Sequence, residues 1–431
     1  MRRVVITGMG VVSPVGNSTQ ATWQALLECR SGLGPITYFD ASTFPTRIAG
    51  ESKGFDFWEF WGKRRHPYQL PKHLSQTSKL AIHSACEAWD HSGLSSAKLD
   101  PERVGIYLGV GKGEGLGDLE FLGSFLPSCV KEDGQLDLTK FVGESLRRTD
   151  PTSEIEVEPG RVMVHLCEIF NARGPASTCL TACAAGAQAI GEALRMIREG
   201  EADVILTGGS HSMITPQSIM GFCLLGALST DNDRPLQASR PFDKTRNGFV
   251  LSEGSALVII EELEHAKRRG AEIYAEVAGY GCTSDSFRVT DPHPEGIGQA
   301  LAMRRALDDA RVELEAVDYI NAHGTSTADN DETETIAIKR VFGDRAYKIP
   351  VSSTKSMTGH LIAAAGSLET IVCALSIRHG IVPPTINYQE SDPVCDLDYV
   401  PNRPREVPVR VALTNSFGFG GQNTSLVVRA L

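Results

Sequence analysis

Apolar, β-rich runs alternate along the chain with amphipathic stretches of helical period. Val4–Thr7, Val104–Leu108, Val204–Thr207, Leu257–Glu261, Ala275–Tyr280, Tyr319–Ala322, Val351–Ser353, Val411–Thr414 and Thr424–Val428 read as short strands rich in apolar residues. Lys79–Ser92, Ala184–Arg198, Gly298–Ala310, Asp331–Val341 and Ile362–Arg378 read as helices. Strands alternating with helices predict an α/β architecture whose sheets are largely buried, because both faces of such a sheet are covered.

The charged stretch Glu261–Gly270 separates two parts with roughly similar orders of strands and helices, although no close sequence repeat is visible across it. It reads as a linker and sets a boundary near Gly270, giving an N-terminal half of residues 1–269 and a C-terminal half of residues 270–431. At 431 residues the chain exceeds the usual size of a single core. An active site then belongs between the halves, where clefts commonly form. With 53 acidic against 42 basic residues the net charge is −11. That balance disfavours nucleic acid as a partner and makes any acidic partner depend on a local basic patch. The chain enters a strand directly after its first residues and carries no apolar run of membrane-spanning length, so a cytoplasmic protein with no membrane partner is expected. Ten irregularly spaced cysteines give neither a disulfide framework nor zinc spacing, and no metal site is expected.

Cys183 stands in Thr181-Ala182-Cys183-Ala184-Ala185-Gly186-Ala187, small residues that open a helix. A thiol at a helix N-terminus meets unpaired N–H groups and the positive end of the macrodipole, and both favour the thiolate. Cys179, one turn earlier, reads as a small buried side chain. His323 in Asn321–Thr327 and His360 in Lys355–His360 complete a nucleophile with two imidazoles. Gly8-Met9-Gly10 lacks the third glycine of a dinucleotide fingerprint and reads as a turn. Gly109–Gly117 holds Lys112 but no following serine or threonine, so its glycines read as backbone beside a pocket rather than a phosphate loop. Glycines around Phe417 and Phe419 in Asn415–Asn423 make a loop able to swing an aromatic ring and to present N–H groups to a developing oxyanion.

Taken together, Thr181–Gly186, Asn321–Thr327, Ser352–His360 and Asn415–Asn423 closely resemble the β-ketoacyl-acyl carrier protein synthases, in particular the type II elongating condensing enzymes of the thiolase superfamily. Arg240-Pro241-Phe242-Asp243, Gly248-Phe249-Val250 and Val382–Asn387 extend the resemblance over nearly the whole chain. It implies a five-layered α-β-α-β-α thiolase fold from two similar halves, usually a homodimer and in some members a heterodimer. By position Cys183 takes an acyl group from an acyl carrier protein, and His323 and His360 bind the malonyl thioester and stabilise the enolate left by loss of carbon dioxide. The enolate attacks the acyl thioester to give a β-ketoacyl product, as in fatty acid or polyketide synthesis. Lys355 and Glu369 match a supporting ion pair, and the backbone N–H groups of Cys183 and Phe419 an oxyanion hole. Thr325, Thr327 and Thr290 match contacts to the pantetheine arm, while Phe417, Phe222 and Lys112 fall at substrate-lining positions. Asp331 and Glu334 fit a second polar shell. No cofactor is implied, because the pantetheine group is carried by the acyl carrier protein.

The chain departs from the pattern at Lys112, where an apolar residue commonly touches the acyl chain, and a charge facing hydrocarbon predicts a short or polar acyl pocket. The segment from Leu119 to Glu158 is longer than usual, Gln422 replaces a threonine, and Gly226 replaces an arginine that engages the carrier. Lys63, Arg64, Arg65 and Lys72 form the densest basic stretch and are the expected carrier-docking site. Two rival functions share the fold. A catalytically inert chain-length subunit normally lacks the nucleophile, and a coenzyme A-dependent thiolase typically has a second cysteine and one comparable histidine. The paired histidines favour decarboxylative condensation.

Overall fold

The computed structural model describes residues 2–111, 118–156 and 158–431. Ten strands form one continuous sheet. They are β1 (Val4–Val12), β2 (Val104–Val110), β3 (Ala176–Cys179), β4 (Val204–His211), β5 (Gly254–Glu262), β6 (Ala275–Ser284), β7 (Tyr319–Asn321), β8 (Val351–Ser352), β9 (Val411–Gly418) and β10 (Gln422–Arg429). The spatial order is β8-β7-β9-β10-β6-β1-β5-β4-β2-β3. Divided between β6 and β1, it becomes the same five-stranded pattern twice. In each half the third, second and fourth strands in chain order run parallel, and the fifth and first are antiparallel to their neighbours. The halves join where Val5 and Ile6 of β1 pair with Glu276 and Ala275 of β6.

Five helices account for the layers: α1 (Gln76–Ser92), α2 (Ala185–Glu199), α3 (Ile297–Ala310), α4 (Ala328–Phe342) and α5 (Ala365–His379). α1 covers the outer face of the first half, and α3, with α4 against it, covers the outer face of the second. Helices α2 and α5 touch each other and strands of both halves, so they form the middle layer. The sequence explains that placement. Every residue of α5 from Ala365 to Ser376 is buried, as expected of a helix with protein on all sides. Small residues let the pair approach closely: a Cβ on Gly186 would lie 2.5 Å from the Ala363 carbonyl oxygen. The result is the α-β-α-β-α thiolase arrangement.

Both middle helices begin with the same device. A single 3₁₀ turn, Ala182–Ala184 before α2 and Ile362–Ala364 before α5, starts from a residue with positive φ, 47° at Ala182 and 50° at Ile362. Ala-Ala-Gly follows in each, at 184–186 and 364–366. Ala363 therefore holds in the second half the place that Cys183 holds in the first. This short repeat is the sequence trace of the doubled frame, too brief to stand out until the two turns are compared in space.

Three sequence readings need correction. Gly8 and Gly10 do not form a turn; they lie within β1, where their missing side chains let α1 press its Ala88 and Ser84 carbonyls against the strand. Glu261–Gly270 is not a linker. Glu261 and Glu262 end β5, and fully buried Glu261 accepts hydrogen bonds from Thr7, from His265 at 2.9 Å and from Arg269 at 2.8 Å, fixing a structural corner. Strand β3, at the sheet edge, was not anticipated, because Ala176-Ser177-Thr178-Cys179 lacks an apolar run. In the long segment after β2, helix Leu138–Arg148 buries none of its residues and leaves Leu138, Val142 and Leu146 exposed. Among the described residues, no helix is long and apolar enough to cross a membrane.

Candidate active site

Chain reversals at the ends of β3, β7 and β8 bring the predicted side chains together. Cys183 lies in the strained turn between β3 and α2, nearly buried, in an apolar cluster with Ile214, Ile219, Leu228, Phe249, Leu251 and Ile362. His323 follows β7 directly. Its backbone N–H and that of Gly324 donate to the two oxygens of Glu334 at 2.8 Å each, and Asn415 from β9 donates to the same carboxylate at 3.1 Å. His360 is held by the segment of the other half that leads into β5, since its N–H donates to the Val250 carbonyl at 2.8 Å. One sulfur and one nitrogen from each of the two rings lie within 4.8 Å of one another.

The hydrogen-bonding state of His360 follows from the turn that succeeds it. The Ile362 N–H donates to His360 Nδ1 at 3.2 Å, so the neutral ring carries its hydrogen on Nε2. Nε2 is buried and has no partner among the described residues. An unpaired buried donor is costly, and here it points into the site rather than into packed core. Both rings are neutral at ordinary pH. Burial pushes the pKa of His323 well below its usual value, helped by the nearby charge of Lys355 and by His360. Burial does the same for His360, with contributions from Lys355 and His211.

Cysteine, histidine and histidine are also metal-ligand types. The Ile362 bond argues against that use of His360, because Nε2 would have to lose its hydrogen and leave two N–H groups facing each other at Nδ1.

The thiol corrects an expectation. Burial pushes the Cys183 pKa up to about 11, against the lowering influence of the Lys355 charge and of the Phe419 and Cys183 backbone N–H groups. Desolvation outweighs the helix terminus, so the resting group is the thiol and not the thiolate. The same two N–H groups lie close enough to the sulfur to favour its charged form, and they are the groups that the resemblance assigns to the oxyanion hole. Phe419 occupies the tip between β9 and β10, where Gly420 and Gly421 take φ of 88° and 73°. The predicted loop is thus a tight hairpin turn.

Beneath the rings, Lys355 and Glu369 form an ion pair buried on both sides. Burial pushes Glu369 up to about 7, against the pull of Lys355. Asp331 and Glu334 are fully buried and work as polar scaffolding, not as solvated helix face. Asp331 accepts from the Phe242 N–H at 2.8 Å and the Ser326 N–H at 3.2 Å.

A pocket of about 340 Å³ leads to Cys183, and His323, His360, Phe417, Phe419, Thr290, Thr325 and Thr327 all line it. The Thr325 and Thr327 hydroxyls are 2.9 Å apart. Phe222 does not line it; its ring packs behind, 6.4 Å from Phe419 and 5.4 Å from Phe249. Lys112 lies outside the described residues. Lys63, Arg64, Arg65 and Lys72 do not line the pocket, and Arg64 is tied to Asp90 by two bonds of 2.7 and 3.1 Å. Sequence reasoning missed Arg246, Asp285, Gln299 and Asn330 in the pocket wall. Nothing in their local sequence marks them, since the fold alone brings α3, the first turn of α4 and the loops after β4 and β6 to one opening.

Comparison with known proteins agrees with this geometry. The chain matches the Beta-ketoacyl synthase N-terminal domain over residues 1–266 and the Beta-ketoacyl synthase C-terminal domain over residues 274–389. It is 45% identical over 432 residues to the 3-oxoacyl-[acyl-carrier-protein] synthase 2 of Coxiella burnetii, covering 99% of this chain and 98% of that protein. With the protein of the same name from Synechocystis it shares 44% identity over 429 residues, with the same coverage. Among solved structures it is similar to a type II polyketide ketosynthase in complex with its acyl-carrier protein and bound to a hexaketide, with TM-score 0.87 and 34% identity over 100% of this chain and 99% of that one. The ishigamide ketosynthase/chain length factor gives TM-score 0.87 at 36% identity, again over 100% of this chain and 99% of that one.

Proposed function

The chain belongs to the β-ketoacyl synthase family, and we propose that it performs acyl-carrier-protein-dependent condensation with Cys183 as the acyl-bearing nucleophile. The enzyme is an acyltransferase of fatty acid or polyketide-type synthesis. In the first step the Cys183 sulfur attacks the thioester carbon of an acyl carrier substrate. The bond to the pantetheine sulfur breaks, that thiol leaves with a proton, and the acyl group stays on Cys183. With the thiol pKa at about 11, the proton leaves during the attack rather than before it.

In the second step the malonyl thioester carbonyl accepts the His360 Nε2–H, with His323 beside it. Carbon dioxide departs, and the electron pair of the broken C–C bond becomes an enolate held by these neutral donors. The enolate carbon attacks the acyl carbonyl, the Cys183 and Phe419 N–H groups hold the oxyanion, and collapse breaks the C–S bond, releasing the β-ketoacyl product and the Cys183 thiolate, which takes a proton from water to return to the thiol. The scheme draws on no metal or organic cofactor. Lys355 and Glu369 position the rings.

The observation that carries this reading is the Nε2–H of His360, without a partner among the described residues, beside a sulfur nucleophile at the end of a solvent-connected pocket. A thiolase would condense two acyl groups without malonyl thioester, and an inert subunit would acquire no covalent acyl mass. Intact-mass measurement after incubation with acyl carrier thioester should show an adduct in the wild type and none in Cys183→Ala. Product should require malonyl thioester; product without it would overturn the reading. A dimer of identical chains is supported by the uncovered edge of β3, by exposed Leu180 beside it and by the exposed apolar stripe of Leu138–Arg148. Sedimentation at micromolar concentration tests it, and a monomer would exclude it.

A further inference from the structure

Gln299 is unlike the other residues of the pocket wall. Its side chain is fully buried in the first turn of α3, it lines the pocket that leads to Cys183, and neither its amide oxygen nor its amide nitrogen has a hydrogen-bond partner among the described residues. A buried amide normally satisfies at least one of its groups. Helix geometry directs it toward the reaction centre. One turn on, Met303 lies on the same face of α3, and its sulfur is 3.5 Å from Asn415 Nδ2, which also donates to the Glu334 carboxylate that holds the His323 backbone. Thr290 and Asn423, with a hydroxyl and an amide, stand in the same wall.

We propose that Gln299 recognises an amide of the pantetheine arm, accepting from its N–H and donating to its C=O. The inference rests on the arm entering by this pocket. A secondary amide presents one donor and one acceptor, as a primary carboxamide side chain does, so the two can pair reciprocally. The pairing gives a role to a fully buried glutamine that otherwise leaves both ends of its amide unsatisfied. Gln299 is a specificity-determining contact for thioesters that carry an amide, and the reacting atoms do not need it.

The test compares loading of Cys183 by acyl thioesters of pantetheine, with two amides, of N-acetylcysteamine, with one, and of ethanethiol, with none. For Gln299→Leu, kcat/KM for loading should fall at least tenfold with the pantetheine thioester and stay within twofold with the ethyl thioester. The N-acetylcysteamine result identifies which amide is read. The thermal midpoint of the free variant should equal or exceed that of the wild type, because an unpaired polar group has been replaced by an apolar one. Equal slowing on all three thioesters with a lowered midpoint would make Gln299 structural and overturn the proposal, as would unchanged pantetheine kinetics. Gln299→Met serves if the leucine variant misfolds. A wild type that acquires no adduct from any thioester would instead sink the nucleophile assignment. Calorimetric binding of free pantetheine to Cys183→Ala with and without Gln299→Leu then still decides the amide contact: tenfold weaker binding supports it and equal binding refutes it.

Discussion

Replacing His360 by alanine removes one hydrogen-bond donor from the enolate and leaves the nucleophile in place. The donor is preorganised, since the Ile362 N–H fixes the ring at Nδ1 and the buried Nε2–H has no partner to give up when substrate arrives. Loss of one such donor from a dry site costs about 2.7–4 kcal/mol in the transition state, or roughly 10²–10³ in rate. Decarboxylation of malonyl thioester should therefore fall by about that factor, read as carbon dioxide release. Acylation of Cys183 uses different donors, the backbone N–H groups of Cys183 and Phe419, and should change by less than about tenfold in intact-mass time courses. His360→Gln offers an N–H near the former Nε2 and should recover part of the loss. The unfolding midpoint of the resting variant should fall modestly, because the removed ring packed against Phe249 and accepted from the buried Ile362 N–H, a loss only partly offset by removal of the unpaired Nε2–H. Wild-type rates of decarboxylation in His360→Ala, or parallel loss of both steps, would refute the separation of roles.

Three further outcomes follow from the same geometry. Because burial raises the Cys183 pKa to about 11, its alkylation by iodoacetamide should accelerate about tenfold per pH unit between roughly pH 7 and 10, as the reactive thiolate fraction grows; a plateau below about pH 9 would contradict the raised value. Glu369→Gln strips the buried Lys355 of its counter-charge and should lower stability by about 3–5 kcal/mol in denaturant titration, while Lys355→Met with Glu369→Leu should restore most of it. If the basic stretch docks the carrier, Arg65→Glu with Lys72→Glu should raise KM for carrier-bound substrate and spare the pantetheine thioester; equal effects on both would exclude docking there. Arg64 is left intact because it holds Asp90.

Much of the frame was readable from residues alone where burial is continuous. Strands such as Val204–His211 and Gly254–Glu262 are buried along their whole length, and their apolar stretches, Val204–Thr207 and Leu257–Glu261, announce them. The edge strand at Ala176–Cys179 is half-exposed, so its composition carried no comparable signal. Cys183, His323, Lys355 and His360 were visible because motif chemistry is local. The charge state of the thiol was not, since it depends on how much water the apolar cluster around Cys183 excludes, and that cluster gathers residues from Ile36 to Ile362. Gln299 lay outside every motif because its role comes from the face of α3 that points inward. The glycines at 8 and 10 misled for a related reason: a helix lying against a strand needs missing side chains as much as a turn does.

The doubled frame has a consequence for how the molecule can be taken apart. Each half supplies the inner wall of the other, and the Ala363 carbonyl fills the space a side chain at Gly186 would need. A cut near Gly270 would therefore meet no seam. A fragment ending there would carry the sulfur without its imidazoles and with α2 stripped of its cover, and the remainder would have the imidazoles with nothing to act upon. Such a machine is inherited or lost as one piece, and drift in either half must be answered in its twin.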